Sequence, residues 1–428
     1  MIASLLLGCT VSRAAAQQVL FQDDFSSGSL NTNLWGLAGH GWVLQRTRMG
    51  ATPTFGTEGT TTFTRLKLNT HSPDDSLYDP DVNDAHKSYL QGTEIFAKQM
   101  FKLGTGVEFE VRLRGNNIQP GLIFAAFLYH DHGSWPGSLR RDEIDFEFLG
   151  SQPRNQLWCH IWDDWNPAYK YDEGVHDLTT LPTVAGWDWA VWNTYKIRWT
   201  NTGVQCFVNN ALVRDEKKIL PDDHPMRLDF NIWASDSSWA RAYSSSLQPT
   251  SSGANRTYSF DIDYVKVTSM APPAGAVVGN GNGLSATYYS NADLTGNTVS
   301  RIDPRVNFNW DTYFPEPTLG QDTYSVRWTG QVQAQFNEAY TFYVTMNDGA
   351  RLWLNGNLII DRWQARTSAV EYSRAVTLKA GVKYNIRLEY FQNTGPSVVS
   401  LRWSSPSTPK QIIPQIQLYS VTPADTTR

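Results

Sequence analysis

The chain has 428 residues and a formal net charge of −5, and a length of this order predicts two domains. No basic stretch is long enough to bind nucleic acid, which excludes that class of partner, and no run after the N-terminus is long and apolar enough to span a membrane. Short apolar runs alternate with clusters of Gly, Asn, Asp, Ser and Pro, and 13% of the residues are aromatic. This pattern predicts an all-β protein built from sandwiches or barrels.

The N-terminal segment, residues 1–18, has the features of an export signal. An apolar core at Leu5–Leu7 is followed by small residues at Ala14–Ala16, although the usual positive charge before the core is missing. The segment also resembles a lipoprotein signal in which Cys9 would carry the lipid. We expect cleavage near Ala16 and a secreted protein, with lipid anchoring at Cys9 as the alternative.

The boundary between the two predicted domains lies in residues 269–283. This segment is rich in Pro, Gly, Ala and Asn and carries little side-chain area to bury, which is typical of a linker. It separates a predicted first domain at 19–268 from a predicted second domain at 284–421.

One predicted strand in the first domain carries three acids on a single face. Side chains of a strand alternate between its faces, so the acids lie opposite three large apolar residues: Glu143, Asp145 and Glu147 against Ile144, Phe146 and Phe148. Like charges crowded on one face destabilise a strand. A solvated acidic surface is the structural alternative, but the cost of the crowding favours a functional role.

Paired carboxylates suit glycoside hydrolysis, in which one group attacks the anomeric carbon and the other protonates the leaving oxygen. Neighbouring negative charges raise the pKa of one carboxyl group, which then stays protonated and can act as an acid. Residues four apart on a flat strand are separated by about 13 Å. We therefore expect a curved strand whose side chains lean towards one another.

The segment Glu143–Glu147, EIDFE, resembles the E-[IL]-D-x-E signature of glycoside hydrolase family sixteen, which includes lichenases, laminarinases and xyloglucan transglycosylases. The resemblance extends over the first domain, to Phe21–Phe25, Gly92–Phe101, Leu228–Trp239 and Phe260–Val267. It implies a curved, concanavalin-like β-jelly-roll sandwich and a retaining mechanism. It also implies that Glu143 is the nucleophile, Asp145 the assisting acid and Glu147 the general acid/base.

The uninterrupted spacing of the three acids resembles the lichenase and xyloglucan-active branch of that family. Plant transglycosylases usually carry a sequon directly after this strand and a cysteine-bearing extension, and neither feature is found here. We therefore expect a monomeric endo-β-glucanase that hydrolyses β-1,3/1,4-glucan, as in lichenan, through a covalent glycosyl-enzyme and without a catalytic cofactor. The alternatives are a xyloglucan endotransglycosylase/hydrolase and a non-catalytic glycan-binding protein.

Aromatic residues of the first domain are candidates for sugar binding, because flat rings stack on the apolar faces of sugars. Strand parity places Trp158, His160 and Trp162 on the same side as the acids. The predicted substrate-binding residues are Trp158, His160, Trp162, Trp165, Trp233, Trp239 and Trp135. Tryptophan is also a common core residue, and for Trp135 the two interpretations are equally favoured. His160 would bind a sugar or orient a catalytic acid.

Two further predictions concern cysteines and calcium. We expect Cys159 and Cys206 to be buried thiols rather than a disulfide. The family resemblance implies that Asp263, in the closing strand, helps to hold a structural calcium ion, for which oxygen ligands are suited. The alternative is a surface aspartate without a metal.

The second domain resembles the protective-antigen-type β-sandwich module, notably at Val326–Gly330, Ala339–Asp361 and Asn385–Tyr390. Some modules of this type bind glycans through calcium held by an Asp-Asp pair. Here the pair is Asn347-Asp348, so calcium binding at Asp348 is weakly predicted. A structural or interdomain role is the alternative to glycan binding.

Overall fold

The computed structural model describes residues 17–73, 89–135, 138–163, 171–177, 184–217, 221, 224–312, 315–316, 318–320 and 322–421. For residues 132–135, 138–140 and 171–177 only the backbone is described. The predicted lipid attachment at Cys9 and cleavage near Ala16 lie outside the described residues. None of the described helices has the length and apolar character needed to cross a bilayer.

Most of the described chain is in strands, which confirms the all-β prediction, and it forms two compact units. The first unit consists mainly of Val19–Thr268. Its strands are β1 (Val19–Asp23), β2 (Trp35–Leu37), β3 (Val43–Leu44), β4 (Thr47–Met49), β5 (Thr54–Glu58), β6 (Thr61–Asn69), β7 (Leu90–Phe101), β8 (Val107–Asn116), β9 (Leu122–Trp135), β10 (Ser138–Leu149), β11 (Gln156–Asp163), β12 (Tyr171–Asp177), β13 (Asn193–Thr200), β14 (Gly203–Val208), β15 (Ala211–Glu216), β16 (Met226–Ala234) and β17 (Thr257–Ser269).

The strands of the first unit form two layers of a curved jelly roll, as predicted. One layer follows the order β2-β7-β16-β9-β10-β11-β12, and the other follows β5-β6-β17-β8-β13-β14-β15 with β1 beside β17. The predicted catalytic strand β10 therefore lies inside its layer, paired antiparallel with both β9 and β11.

The apolar face of β10 packs into the core between the layers. Ile144 and Phe146 are fully buried, and the ring centroid of Phe148 lies 5.0 Å from that of Tyr195 on β13. Burying a large apolar side chain contributes about 1.5–3 kcal/mol, which fixes the register of the strand. The acids must then face the opposite side of the layer.

Cys159 on β11 and Cys206 on β14 are both buried in this core, as expected. Their sulfur atoms, however, are joined in a disulfide that links the two layers. The prediction of two unpaired thiols is therefore wrong. The pairing could not be predicted from the sequence, because 47 residues separate the two cysteines and the two layers meet only in the folded chain.

The second unit begins at Ser269 and contains two antiparallel sheets, which confirms the predicted second β-sandwich. Its strands are β18 (Leu284–Tyr289), β19 (Thr298–Asp303), β20 (Asn307–Asp311), β21 (Tyr324–Gln333), β22 (Glu338–Asn347), β23 (Gly349–Leu354), β24 (Asn357–Arg362), β25 (Val370–Leu378), β26 (Lys383–Gln392), β27 (Ser397–Ser405), β28 (Thr408–Ile412) and β29 (Leu418–Ser420). One sheet runs β19-β18-β21-β26-β23-β24 with β29 beside β21, and the other runs β20-β27-β22-β25 with β28 beside β27. Short 3-10 helices lie at Ser252–Ala254 in the first unit and Gln415–Gln417 in the second.

Candidate active site

A cleft of about 950 Å³ lies on the face of the β10 layer that points away from the core. The three acids of β10 all line it, because their side chains alternate with those that enter the core. The side chains of Glu143 and Glu147 are 14% and 13% exposed, whereas that of Asp145 is 3% exposed. The two glutamates therefore reach the open space of the cleft, and Asp145 lies at its floor.

His160 on β11 holds two of these acids in place. The antiparallel register sets it directly opposite Asp145. Its backbone N–H donates to Asp145 Oδ1 at 3.1 Å, and its Nδ1 lies 2.8 Å from the same oxygen and 3.2 Å from Glu147 Oε2. His160 therefore contacts both Asp145 and Glu147. Its predicted role in orienting a catalytic acid stays a prediction. His160 also lines the cleft.

Arg141 makes the corresponding contact with the third acid. Its Nε lies 3.0 Å from Glu143 Oε2, and its guanidinium stacks 4.0 Å from the ring centroid of Trp162. Trp162 is directly opposite Glu143 on the neighbouring strand. The arginine thus fixes the glutamate against one wall of the cleft.

Burial raises the pKa of Glu143 to about 8, with further increases from Asp145 and Glu147 and an opposing effect from Arg141. Burial also raises the pKa of Glu147, against which the His160 hydrogen bond acts. Strongly interacting acids titrate as a group, so the cleft retains a proton near neutral pH. Because both pKa values rise, their direction does not by itself distinguish the nucleophile from the acid.

Burial also disfavours a charge on His160, but Asp145 and Glu147 outweigh it and hold the pKa of the imidazole well above its usual value. The protonated ring then donates to the carboxylates rather than accepting from them. Donor atoms of these three residues lie within 4.8 Å of one another. The Nδ1 atom of His160 lies within hydrogen-bond distance of Asp145 Oδ1.

The other predicted substrate-binding residues divide into three groups. Trp162, Trp233 and Trp239 line the cleft, and the rings of Trp233 and Trp239 stack with centroids 5.9 Å apart. Trp158 is on the predicted face but is only 1% exposed, because it packs in a small cluster with Met49 and Leu149. It does not line the cleft, so the prediction of direct sugar contact is not supported by its position.

The remaining two predicted tryptophans cannot be placed. Trp165 and the side chain of Trp135 lie outside the described residues. Their predicted roles stay predictions.

Two cleft features were missed in the sequence. Trp42 is 52% exposed at the cleft wall, in a short loop that has no strand parity to reveal its direction. Glu94 on β7 is 5% exposed and accepts a hydrogen bond of 3.0 Å from Asn231 Nδ2 on β16. Burial raises the pKa of Glu94. In the sequence, the feature that could have identified this residue is an acid directly before two large apolar residues, Ile95 and Phe96.

Both aspartates that are predicted to bind calcium have hydrogen-bond partners in the structure. Asp263 accepts a hydrogen bond from the guanidinium of Arg112, so its charge is already balanced. Both oxygens of Asp348 accept backbone hydrogen bonds, from Arg366 and from Asn393, and its side chain is buried. Calcium binding at Asp263 and Asp348 stays a prediction.

The two parts of the chain match two different known families. Residues 56–265 match the family Glycosyl hydrolases family 16, and residues 280–417 match the PA14 domain. Solved structures similar to this chain include a laminarinase catalytic domain from Thermotoga maritima at 16% identity, covering 60% of this chain and 99% of that one with a TM-score of 0.44. A lichenase from a mouse hindgut metagenome is 21% identical, covering 58% and 97% with a TM-score of 0.41.

Two curated proteins also match part of the chain. Anti-sigma-I factor RsgI3 of Acetivibrio thermocellus is 47% identical over 141 residues, which are 33% of this chain and 22% of that protein. A probable xyloglucan endotransglucosylase/hydrolase protein 8 of Arabidopsis thaliana is 28% identical over 151 residues, 33% of this chain and 45% of that protein. The chain thus spans less than half the length of either relative.

Proposed function

Residues 56–265 belong to glycosyl hydrolase family 16, and on this premise we propose that the protein is an exported, monomeric, retaining endo-β-glucanase that hydrolyses β-1,3/1,4-glucan. The observation that carries the proposal is the row of acids along one cleft wall, Glu143, Asp145 and Glu147, held by His160 and Arg141. A retaining glycosidase needs two carboxyl groups on either side of the scissile bond. A non-catalytic glycan-binding cleft would have no use for three crowded acids.

In the first step, Glu143 attacks the anomeric carbon while Glu147 donates its proton to the leaving oxygen. The attack requires the ionised form of Glu143. Arg141 favours this form, whereas burial, which is the larger effect, raises the pKa to about 8. The glycosyl-enzyme ester is then hydrolysed by water, from which Glu147 removes a proton. His160 keeps Asp145 and Glu147 in register through both steps, since its Nδ1 reaches both carboxylates.

The cleft walls suit a neutral polysaccharide. Phe96, Phe127, Trp162, Trp233 and Trp239 give the cleft apolar surfaces on which sugar faces can stack. The cleft is long enough to be lined by strands β7, β9, β10, β11 and β16. These features favour cleavage within a β-glucan chain.

The test replaces each glutamate separately. In Glu143→Gln and Glu147→Gln, initial rates on barley β-glucan should fall at least about a thousandfold, because each change removes nucleophilic or acid/base chemistry. The matched control is Glu110→Gln, a partly buried glutamate on β8 in the other layer. Its rate should stay within twofold of the unsubstituted protein.

Analysis of the products provides an independent test of the retaining mechanism. Proton NMR of the first product should show retained anomeric configuration, and linkage analysis should show shortened mixed-linkage oligosaccharides. Inverted products would overturn the covalent mechanism. Unchanged rates in Glu143→Gln would overturn the assignment of the nucleophile.

A xyloglucan endotransglycosylase is the second candidate, favoured by the 28% identity to a probable xyloglucan endotransglucosylase/hydrolase. Both reactions share the glycosyl-enzyme and differ in whether water or a sugar hydroxyl resolves it. Incubation with xyloglucan and a labelled oligosaccharide acceptor distinguishes them. Labelled polymer would favour transglycosylation, whereas its absence together with cleavage of barley β-glucan would favour the hydrolase.

A further inference from the structure

Arg227 on β16 lies in the cleft of the first unit, and no step of the proposed reaction uses it. It lines the cleft, and its side chain is 35% exposed. The register of the layer places Arg227 directly opposite Tyr129 on β9, which is itself directly opposite Glu143 on β10. Strand β16 therefore lies two strands from the proposed nucleophile, about 10 Å away at a spacing of about 4.8 Å per strand.

A buried carboxylate holds the guanidinium of Arg227. Asp229 is fully buried two residues further along β16, and Arg227 Nε donates to both of its oxygens at 3.0 Å. Arg227 Nη2 lies 2.7 Å from Asp229 Oδ1. Burial raises the pKa of Asp229 to about 7, against which Arg227 acts. The ion pair therefore balances the charge of Asp229 and gives Arg227 a fixed orientation.

An aromatic ring also contacts the guanidinium of Arg227. Its central carbon lies 4.4 Å from the ring centroid of Phe96 on β7, which lines the cleft as well. Stacking of this kind orders an arginine without using its N–H groups. The contacts with Asp229 use Nε and Nη2, and Nη1 has no hydrogen-bond partner among the residues that the structure describes. The cleft therefore contains an oriented donor group that is available to a substrate.

The position of Glu147 indicates which part of a substrate lies over β16. Glu147 Oε2 lies 3.2 Å from His160 Nδ1 on β11, so the proposed proton donor leans towards β11. The leaving sugar then lies on the β11 side, and the sugar chain that becomes attached to Glu143 extends over β9 and β16. Successive rings of an extended glucan advance by a distance comparable with one strand spacing. The ring over β16 is therefore the third ring from the cleaved bond.

We propose that Arg227 binds hydroxyl groups of this third ring and that Asp229 is its positioning residue. The proposal deepens the glucanase assignment and rests on it. A guanidinium presents N–H donors in a fixed planar arrangement, and the hydroxyl oxygens of a sugar accept hydrogen bonds. Because Asp229 already balances the charge of Arg227, the pair suits a neutral polysaccharide. The pair thereby selects chains with at least three rings on the side of the bond that becomes attached to Glu143.

The test compares kcat/KM for aryl β-glycosides of mixed-linkage oligosaccharides with two and with three sugar rings. Arg227→Gln should lower kcat/KM for the three-ring substrate at least about tenfold, because a hydrogen bond from a charged donor is lost. Asp229→Asn should lower it at least about threefold, because Arg227 loses its fixed orientation. Both variants should change kcat/KM for the two-ring substrate by less than twofold, since that substrate does not reach β16.

Two further variants separate recognition from folding. The matched control is Arg198→Gln, because Arg198 in the other layer also pairs with a glutamate, Glu108, and stacks on a phenylalanine, Phe207. It should change kcat/KM for both substrates by less than twofold. Arg227→Gln leaves Asp229 buried without its partner, whereas Arg227→Met/Asp229→Leu replaces both charges by apolar side chains and spares the fold that cost. The double variant should show the same loss on the three-ring substrate alone.

Equal losses on the two substrates, or an unchanged three-ring value in Arg227→Gln, would overturn the role of Arg227.

Binding to the Glu143→Gln protein separates this inference from the proposed hydrolysis. Isothermal titration calorimetry with a mixed-linkage trisaccharide should show an affinity at least about tenfold lower when Arg227→Gln is added. An unchanged affinity, or no binding in either protein, would overturn the inference. Absence of cleavage by the unsubstituted protein together with the tenfold loss of affinity would instead overturn the hydrolysis and support the role of Arg227.

Discussion

Both units bury aspartates, but they surround them differently. In the second unit, Asp303 is 2% exposed, and its Oδ2 accepts hydrogen bonds from the hydroxyl of Tyr288 and from Trp328 Nε1, both at 2.6 Å. Its Oδ1 accepts from Arg301 Nε at 2.7 Å. In the first unit, Asp145 is equally buried but lies between two other acids.

The contrast teaches that burial of an acid is not by itself a sign of catalysis. A carboxylate with a full set of donors is a structural element, and its charge is stabilised by its neighbours. Acids that crowd one another at an open cleft retain protons and have raised pKa values, as Glu143 and Glu147 do. Such an arrangement is costly for folding and suited to proton transfer.

The largest expected effect comes from replacing Asp303, the buried aspartate of the second unit. Asp303→Ala should lower the free energy of unfolding by about 3–5 kcal/mol. It leaves the buried Tyr288 hydroxyl and Trp328 Nε1 without their acceptor, and it removes one of the two acids that pair with Arg301. Chemical denaturation followed by tryptophan fluorescence measures the loss. Asp293→Ala, an exposed aspartate in the same unit, should change it by less than about 0.5 kcal/mol. Equal losses in the two variants would remove the distinction between the buried and exposed acids.

The next effect concerns His160, the residue that positions the acids of the cleft. His160→Gln should lower kcat by about 10–100-fold with little change in KM. Its hydrogen bond lowers the Glu147 pKa, so its removal should raise that pKa and move the pH profile of kcat to higher pH.

Kinetic profiles over acidic to alkaline pH test this role. His71→Gln, a histidine bonded to the backbone of Thr250 away from the cleft, serves as the control. A lower kcat with an unmoved pH profile would mean that His160 supports the fold alone.

We expect a smaller effect on stability when Glu143 is replaced by glutamine. Its pKa of about 8 lies above the ordinary 4.5, so between these values the folded state holds a proton that the unfolded state releases, and stability falls as pH rises. Glu143→Gln should therefore match the unsubstituted protein near pH 4.5 and exceed it near pH 8.

Thermal scans at several pH values provide the measurement. Each kcal/mol gained should raise Tm by about 2–4 °C. Glu110→Gln should show no such pH-dependent gain. A Glu143→Gln variant that is less stable near pH 8 would mean that the Arg141 ion pair outweighs burial.

The smallest expected effect concerns the exposed wall of the cleft. Trp42→Ala should raise KM for β-glucan by about 3–10-fold, since one aromatic stacking contact contributes about 0.5–1.5 kcal/mol. Val191→Ala, which is 55% exposed outside the cleft, is the control and should leave KM unchanged. Equal KM values in both variants would place Trp42 outside the sugar-binding surface.

Much of the acidic cleft follows from strand periodicity alone. Alternation along β10 determined which residues enter the core and which face the cleft, and it set His160 and Trp162 on the same side as the acids. The same rule misjudged Trp158, because parity gives a direction but not the neighbours that cover a side chain. Trp158 is covered by residues from distant segments, such as Met49 and Ala242.

The all-β class, the acid row and the family resemblance could be predicted without the structure, since they depend on local alternation and a short motif. The Cys159–Cys206 disulfide, in contrast, depends on the folded arrangement of the two layers. The tertiary structure also decided the stack of Arg141 on Trp162, which joins neighbouring strands through their register. The physical reason is that burial, charge pairing and pKa depend on atoms brought together across long stretches of chain, which no local pattern encodes.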